Sequence, residues 1–212
     1  MSGLLSLYVA VAAPLLIAVF LLGTATRRFV AFFLVGLTVC LLAAYINTFL
    51  TTSTGLDAVE AMVKLTPISE EVLKALPLFF YVAVFRPKRT SIAYSALAIG
   101  LGFAMMENAY ALMEAGGSGG LSWAVARGFA AGVMHATCSA GLGYGLAFVH
   151  GRRYLVGPVA FGLLCITSTG HAIYNLFVSA GGAWQVAGYL LPFAVVVLLL
   201  AVVRLPRLTF TD

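Results

Sequence analysis

The chain has 212 residues, of which 62% are hydrophobic and only 9% are charged, and its formal net charge is +5. Its mean hydropathy is +1.06. A water-soluble domain of this length cannot hide so much apolar surface, so we expect a protein that crosses the membrane several times. The basic excess does not indicate nucleic-acid binding, because basic residues of membrane proteins collect in cytoplasmic loops.

Seven apolar stretches long enough to span a bilayer follow one another along the chain. They cover roughly residues 4–22, 29–50, 67–85, 91–113, 123–149, 155–178 and 186–203. Between the second and third, apolar residues recur at helical spacing, which predicts a short interfacial helix. We therefore predict an all-α fold with one domain over residues 1–212, a bundle of about seven transmembrane helices. The first stretch is interpreted as a retained span and not as a signal peptide.

Loop charges predict the orientation of these spans. Alternate loops carry the basic residues, namely Arg27, Arg28, Arg86, Lys88, Arg89, Arg152, Arg153, Arg204 and Arg207. The opposite loops hold Asp57, Glu60 and Glu114, with Lys64 as their only base. The positive-inside rule then places the N-terminus outside and the C-terminus in the cytoplasm.

A small set of polar residues remains inside the predicted spans, where ionisable groups are costly and are functional candidates by default. The set is Glu70, Glu71 and Lys74 on the third span, Glu107 and Asn108 on the fourth, Arg127 and His135 on the fifth, and His171 and Asn175 on the sixth. At about 1.5 Å of rise per residue, these positions overlap in depth in the outer half of the bilayer.

Helical spacing groups these residues into stripes. Glu70 and Lys74 are four residues apart and share a face, so we expect Glu70 to be the more neutralised of the two glutamates. Ser139 follows His135 at the same interval. Small residues that let helices approach closely recur on two spans, at Ala96, Gly100 and Ala104 and at Gly128, Gly132 and Ala136.

This combination of side chains suits the hydrolysis of an amide bond. Two adjacent carboxylates beside a lysine cannot easily both stay charged in low dielectric, so one is a candidate general base for water. Histidines can orient water or shuttle a proton, and an Asn amide can donate to an oxyanion. The same groups could also bind a divalent metal.

Structural explanations compete with the functional ones for several residues. Glu70 and Glu71 could simply begin a helix at the interface, and Lys74 could be only a charge partner. Asn108 could form a helix–helix hydrogen bond. Arg127 lies about one turn inside its span and could reach outward to water. Ser139 is expected to pack against a neighbouring helix and not to act as a nucleophile.

The motif series resembles the PrsW family of membrane proteases. The series is Glu70-Glu71-x-x-Lys74, Phe103-Ala104-x-x-Glu107-Asn108, His135-x-x-x-Ser139-x-x-x-Gly143 and His171-x-x-x-Asn175. That family is similar to the CAAX-prenyl-protease and bacteriocin-processing group and, more distantly, to the Aph subunit of gamma-secretase. The resemblance covers about residues 67–175, so the catalytic core is expected over about 67–178.

The resemblance implies a glutamic-type intramembrane peptidase in the cell membrane. It makes Glu70 or Glu71 the water-activating base, places Glu107, His135 and His171 in the site, and makes Asn175 an oxyanion donor. It implies a membrane-anchored protein substrate, with an anti-sigma factor cleaved on its extracytoplasmic side as the founding example. No cofactor, metal ligand or nucleic acid is predicted, and the oligomeric state stays open.

Three alternatives are left open by the sequence. A proton or cation transporter could use the same intramembrane residues, although no internal repeat is visible. A catalytically silent scaffold is the second alternative, and a metal-dependent protease is the third.

Overall fold

The computed structural model describes residues 2–116 and 120–203, and this part of the chain is helical throughout apart from short connections. Its helices are α1 (Ser2–Leu21), α2 (Thr24–Thr54), α3 (Ala58–Lys64), α4 (Thr66–Phe85), α5 (Arg89–Glu114), α6 (Gly120–Val149), α7 (Arg153–Ala180) and α8 (Gly182–Val203). Seven of these are 20 residues or longer and α3 has seven residues. The all-α prediction, including the short helix before the third span, is confirmed.

Most predicted span limits lie within a few residues of the observed helix ends. The exception is α2, which at 31 residues begins before Arg27 and ends after Thr52. Five helices are both long and apolar enough to cross a membrane, namely α1, α2, α5, α7 and α8. The other two long helices, α4 and α6, fall outside this set. Three charged residues, Glu70, Glu71 and Lys74, lie within α4, and α6 carries Arg127 and His135.

Local sequence explains the sharp connection between α2 and α4. Gly55 ends α2 with φ of 67°, a left-handed conformation that glycine adopts without strain. Asp57 then caps α3, where its side chain accepts a hydrogen bond from the backbone N–H of Glu60 at 2.9 Å. Pro67 lies in the first turn of α4, where its missing N–H costs nothing. The chain therefore reverses direction between the end of α2 and the start of α4.

Glycines allow α2, α5 and α6 to pack backbone to backbone. A Cβ at Gly36 or Gly102 would collide with the main chain of the facing helix, α5 or α2 respectively. Gly100 lies against the His135 carbonyl oxygen and the side chain of Ser139. The stripe predicted on α5 thus does mediate a close helix contact, and α5 becomes the centre of the bundle.

The small-residue stripe predicted on α6 is wrong at two positions. A Cβ at Gly128 or Gly132 would meet no atom within 4 Å. The face of α6 that approaches α5 instead carries Ser139 and Gly143, and a Cβ at Gly143 would collide with Ala96. The closest face of α6 is therefore the face that also carries His135.

The basic loops meet at one end of the bundle, as the alternation of loop charges predicts. Arg28 at the start of α2 donates to Ser91 at the start of α5, at 2.6 Å. Arg89 donates to the carbonyl oxygen of His150 at the end of α6, at 3.3 Å. Which side of a membrane this end faces stays a prediction. Residues 117–119, between α5 and α6, and residues 204–212, which include the basic residues Arg204 and Arg207, lie outside the described residues.

Candidate active site

Four helices, α4 to α7, bring the predicted ionisable residues into one buried cluster. The exposed fraction of the surface is at most 3% for Glu71, Lys74, His135 and His171, and it is 7% for Glu70. Glu107 is the more accessible member, with 29% of its side chain exposed. Because residues from four helices meet in one cluster, the overlap in depth inferred from helix rise is confirmed.

Glu71 lies at the centre of the cluster. Its Oε1 accepts a hydrogen bond from Lys74 Nζ at 2.7 Å and another from His171 Nδ1 at 3.0 Å. The expectation that Lys74 pairs with Glu70 is therefore wrong, because the lysine turns toward the residue three positions before it. Glu71 is the neutralised glutamate, and its second bond orients the imidazole ring of His171.

Glu70 has a different environment, supplied by α2. Asn47 Nδ2 donates to Glu70 Oε1 at 3.1 Å, and Asn47 Oδ1 accepts a hydrogen bond from the Ser69 hydroxyl. The other carboxylate oxygen, Oε2, lies 4.0 Å from His171 Nε2. His171 is thus held between the two glutamates, with one ring nitrogen toward each.

The sequence does not predict Asn47 as a site residue. The only signal in the sequence is a single amide in an apolar helix, close to several threonines. The partner of an isolated neutral side chain cannot be predicted from the sequence, because it depends on how α2 packs against α4.

His135 connects Lys74 to Glu107. Lys74 Nζ lies 3.0 Å from His135 Nδ1, and His135 Nε2 lies 2.5 Å from Glu107 Oε2. Because an ammonium group only donates, Nδ1 accepts from Lys74 and Nε2 carries the proton that is shared with Glu107. The two histidine rings contact edge to face, with centroids 5.0 Å apart.

Phe103 forms one apolar wall around these charges. Its ring centroid lies 5.0 Å from Lys74 Nζ and 4.8 Å from the ring of His135. A cation over an aromatic face is attracted to it, and the attraction grows when water is excluded. The Phe of the second motif therefore packs against both the lysine and the histidine.

Arg127 pairs with a member of the cluster, although its depth also allows it to reach outward to water. Its Nη2 lies 3.0 Å from Glu107 Oε1, and 24% of its side chain is exposed. Glu107 is thereby bound between a guanidinium and an imidazole. The result is a line of alternating partners that runs from Glu71 through Lys74, His135 and Glu107 to Arg127.

The two predicted amides, Asn175 as an oxyanion donor and Asn108 as a supporting residue, make their hydrogen bonds outside this line of partners. Asn175 donates to the carbonyl oxygen of Met62 at 2.9 Å, so it ties α7 to α3 and does not point its amide at the cluster. Asn108 makes a long helix–helix hydrogen bond to the Gly128 carbonyl oxygen, at 3.4 Å. Ser139 is buried and packs against α5, as its structural interpretation predicts.

A cavity of about 440 Å³ leads to the cluster. Glu70, Glu107 and Arg127 line it, together with residues of α1, α2 and α5. Glu71, Lys74 and the two histidines lie behind this wall. Glu70 and Glu107 are therefore the carboxylates of the cluster that a substrate or water in the cavity reaches first.

Glu70, His135 and His171 also form a group that fits a metal ion by donor type and spacing. One ligand atom from each lies within 4.8 Å of the others. Two imidazoles and one carboxylate are a common ligand set of catalytic zinc. His171 is already oriented for this role, because Glu71 holds Nδ1 and Nε2 faces Glu70. Both ring nitrogens of His135 have partners, so metal binding there would replace one of these hydrogen bonds.

The fold and the cluster define a multi-pass membrane protein with a buried carboxylate–histidine site. Residues 12–203 match the family model described as PrsW family intramembrane metalloprotease. The chain belongs to this family of membrane proteases, as the motif series predicts. Neither a curated protein nor a solved structure matches it.

Proposed function

We propose that this protease hydrolyses a peptide bond of a membrane-anchored protein with a water molecule activated at Glu70. The observation that carries the proposal is the approach of Glu70 Oε2 to His171 Nε2, at 4.0 Å. This separation is too long for a direct hydrogen bond, and it suits a single water that binds to both atoms. Glu70 also lines the adjoining cavity, so the proposed water site lies next to a space that a substrate can enter.

Glu70 is the general base in this proposal. It takes a proton from the water while the water oxygen attacks the peptide carbonyl carbon. The C–N bond then breaks, and Glu70 returns the proton to the leaving amine nitrogen. Glu71 is a positioning residue, because its bonds to Lys74 and to His171 Nδ1 keep Nε2 turned toward Glu70. Glu70 therefore activates the water, and Glu71 orients the histidine.

A metal-dependent form of the same reaction is the second candidate. The spacing of Glu70, His135 and His171 favours it, as does the description of the family as metalloproteases. These three residues would hold the ion, which would supply Lewis-acid activation of water and of the carbonyl oxygen. Glu71 would keep its role, since a carboxylate on the second ring nitrogen commonly supports a metal-bound histidine.

The proposed substrate is a single-span protein, cut near the membrane face at which α4 begins. The charge pattern of the loops predicts that this is the extracytoplasmic face of the cell membrane. An anti-sigma factor is the substrate to test first, because the sequence resemblance implies one. The bilayer itself is the second partner, and nucleic acid is not proposed as one.

Cleavage of a tagged anti-sigma factor in reconstituted vesicles tests the assignment of Glu70. General-base catalysis contributes about 10²–10⁴-fold, so Glu70→Gln should lower the cleavage rate by at least about 100-fold. Glu71→Gln keeps an oxygen that can accept from His171 and should retain measurable activity. Glu60→Gln, on the exposed face of α3, is the matched control.

Full cleavage by Glu70→Gln would overturn the proposal. Proton or cation flux through vesicles that show no proteolysis would instead favour the transporter alternative. Helical content measured by circular dichroism on each variant distinguishes a chemical defect from misfolding.

Metal content decides between the two forms of the mechanism. If the ion is required, the purified protein should contain about one zinc or similar ion per chain. His171→Ala should lose that ion, and a chelator should stop cleavage until the metal is restored. Metal-free protein that cleaves at the full rate would exclude the metal-dependent form and leave the glutamate mechanism in place.

A further inference from the structure

A second cavity, of about 740 Å³, lies at the opposite end of the helices that hold the site. The ends of α4 and α6 and the start of α7 form its walls. The cavity residue Ala83 follows Glu71 by twelve positions on α4, which corresponds to about 18 Å along the helix axis. A layer of buried apolar side chains that includes Ala75, Leu78 and Leu142 packs between them. The cavity is therefore separate from the catalytic cluster.

The lining of this cavity is amphipathic. Apolar side chains form most of it, including Phe79, Val82 and Leu146, and two basic residues, Arg86 and His150, complete it. Its volume falls within the range of about 300–1,000 Å³ that is usual for ligand sites. A molecule with an apolar tail and an anionic head matches both parts of the wall.

The charge around the cavity is of one sign. Arg89 donates to the His150 carbonyl oxygen, which keeps a second guanidinium-bearing residue beside the cavity. Among the described residues, every Asp and Glu lies next to or on α3, near the start of α4 or in the last two turns of α5, which is the other end of the bundle. The positive-inside rule accounts for basic loops, but it does not account for a cavity beneath them.

Arg86 has an unusual backbone conformation. It ends α4 with φ of 45° and is the only non-glycine residue with positive φ within the described ranges. Glycine is the usual residue at such a position, because a side chain there is strained. Arg86 also lines the cavity, so a strained backbone position coincides with a basic residue of its wall, and such outliers concentrate at ligand sites.

We propose that this cavity binds one anionic phospholipid, with an acyl chain against the apolar wall and the phosphate at Arg86 and His150. Basic pockets between transmembrane helices are a common way to hold anionic head groups. The bound lipid would join α4, α6 and α7, the three helices that supply Glu70, Glu71, His135 and His171. The proposal does not depend on the catalytic mechanism.

Two substitutions test the two halves of the proposed site. Gly157 lines the cavity, and a Cβ there would meet no atom within 4 Å, so the side chain of Gly157→Leu starts into open space and should occupy the apolar part. Gly162→Leu on the same helix also enters open space, but it does not line the cavity and is the matched control. Arg86→Ala removes the cation, and Arg27→Ala removes another basic residue of the same end of the bundle.

Lipid binding is measured on the purified full-length protein by native mass spectrometry with phosphatidylglycerol and, separately, phosphatidylcholine. Wild-type protein should retain phosphatidylglycerol in preference. Arg86→Ala should bind it about fivefold more weakly, the fold-change for one basic contact, and Gly157→Leu should lose it, while both controls bind as wild type. Equal retention of the two lipids, unchanged binding by Gly157→Leu and Arg86→Ala, or displacement by soluble glycerol phosphate alone would each overturn the proposal.

Discussion

Two ion pairs of equal length allow the free-energy penalty of an unpaired buried charge to be measured against that of an exposed one. Lys74–Glu71 and Lys64–Glu60 are both 2.7 Å long. The side chains of the first pair are 2% and 3% exposed, and those of the second are 59% and 44% exposed. Burial is therefore the main difference between them, and Lys→Met at each position reports its energetic consequence.

Lys74→Met leaves Glu71 as a buried carboxylate without its cation. Removal of one partner from a buried pair costs about 3–5 kcal/mol. Lys64→Met should cost about 0–1 kcal/mol, because water already screens that pair. The double variant Lys74→Met/Glu71→Gln removes both charges and leaves mainly His135 short of one hydrogen bond, a loss of about 1–3 kcal/mol. It should therefore be about 2 kcal/mol more stable than Lys74→Met alone.

Unfolding in mixed micelles, with increasing SDS and circular dichroism as the readout, gives the free energy of unfolding for each variant. A Lys74→Met variant that is no less stable than Lys64→Met would refute a penalty for an unpaired buried charge. A double variant that is no more stable than Lys74→Met would refute it as well, since the loss would then have another cause.

Two further predictions concern helix packing and the support of the proposed base. Gly100→Ala should lower the free energy of unfolding by about 1–3 kcal/mol, because its Cβ would lie 2.6 Å from the His135 carbonyl oxygen, whereas Gly128→Ala should be neutral in the same titration. Asn47→Leu should slow substrate cleavage by about tenfold or more, because a hydrogen bond to a charged group is worth about 1.5–3 kcal/mol. Thr52→Val, on the exposed side of α2, should cleave at the wild-type rate, and equal rates for the two α2 variants would contradict the role given to the asparagine.

The sequence predicts the fold and most of the cluster because charge inside an apolar span is rare and conspicuous. The positions of Glu70, Glu71, Glu107, His135 and His171 could be compared through helix rise alone, and the structure brings them together. Loop charges predict equally well which helix ends meet at one end of the bundle. In each case a strong local signal decides the outcome.

Partner choice within the cluster could not be predicted, because it depends on neighbouring helices. Lys74 lies within reach of the residues three and four positions before it, and spacing alone cannot choose between them. His135 on α6 and the ring of Phe103 on α5 determine where the ammonium lies, so Glu71 is its partner. The partner of Arg127 was likewise not predictable, since its depth permitted access to water and only the structure places Glu107 beside it.

The bond between Glu71 and His171 joins residues that are 100 positions apart in the chain, and this has a consequence for biosynthesis. The cluster cannot be complete until α7 has been synthesised and inserted, so a ribosome-bound chain that ends before α7 lacks the Glu71–His171 pair. The Lys74–Glu71 pair, by contrast, forms within one turn of α4. Two of the three charges of α4 can therefore enter the membrane already neutralised, long before the histidine arrives.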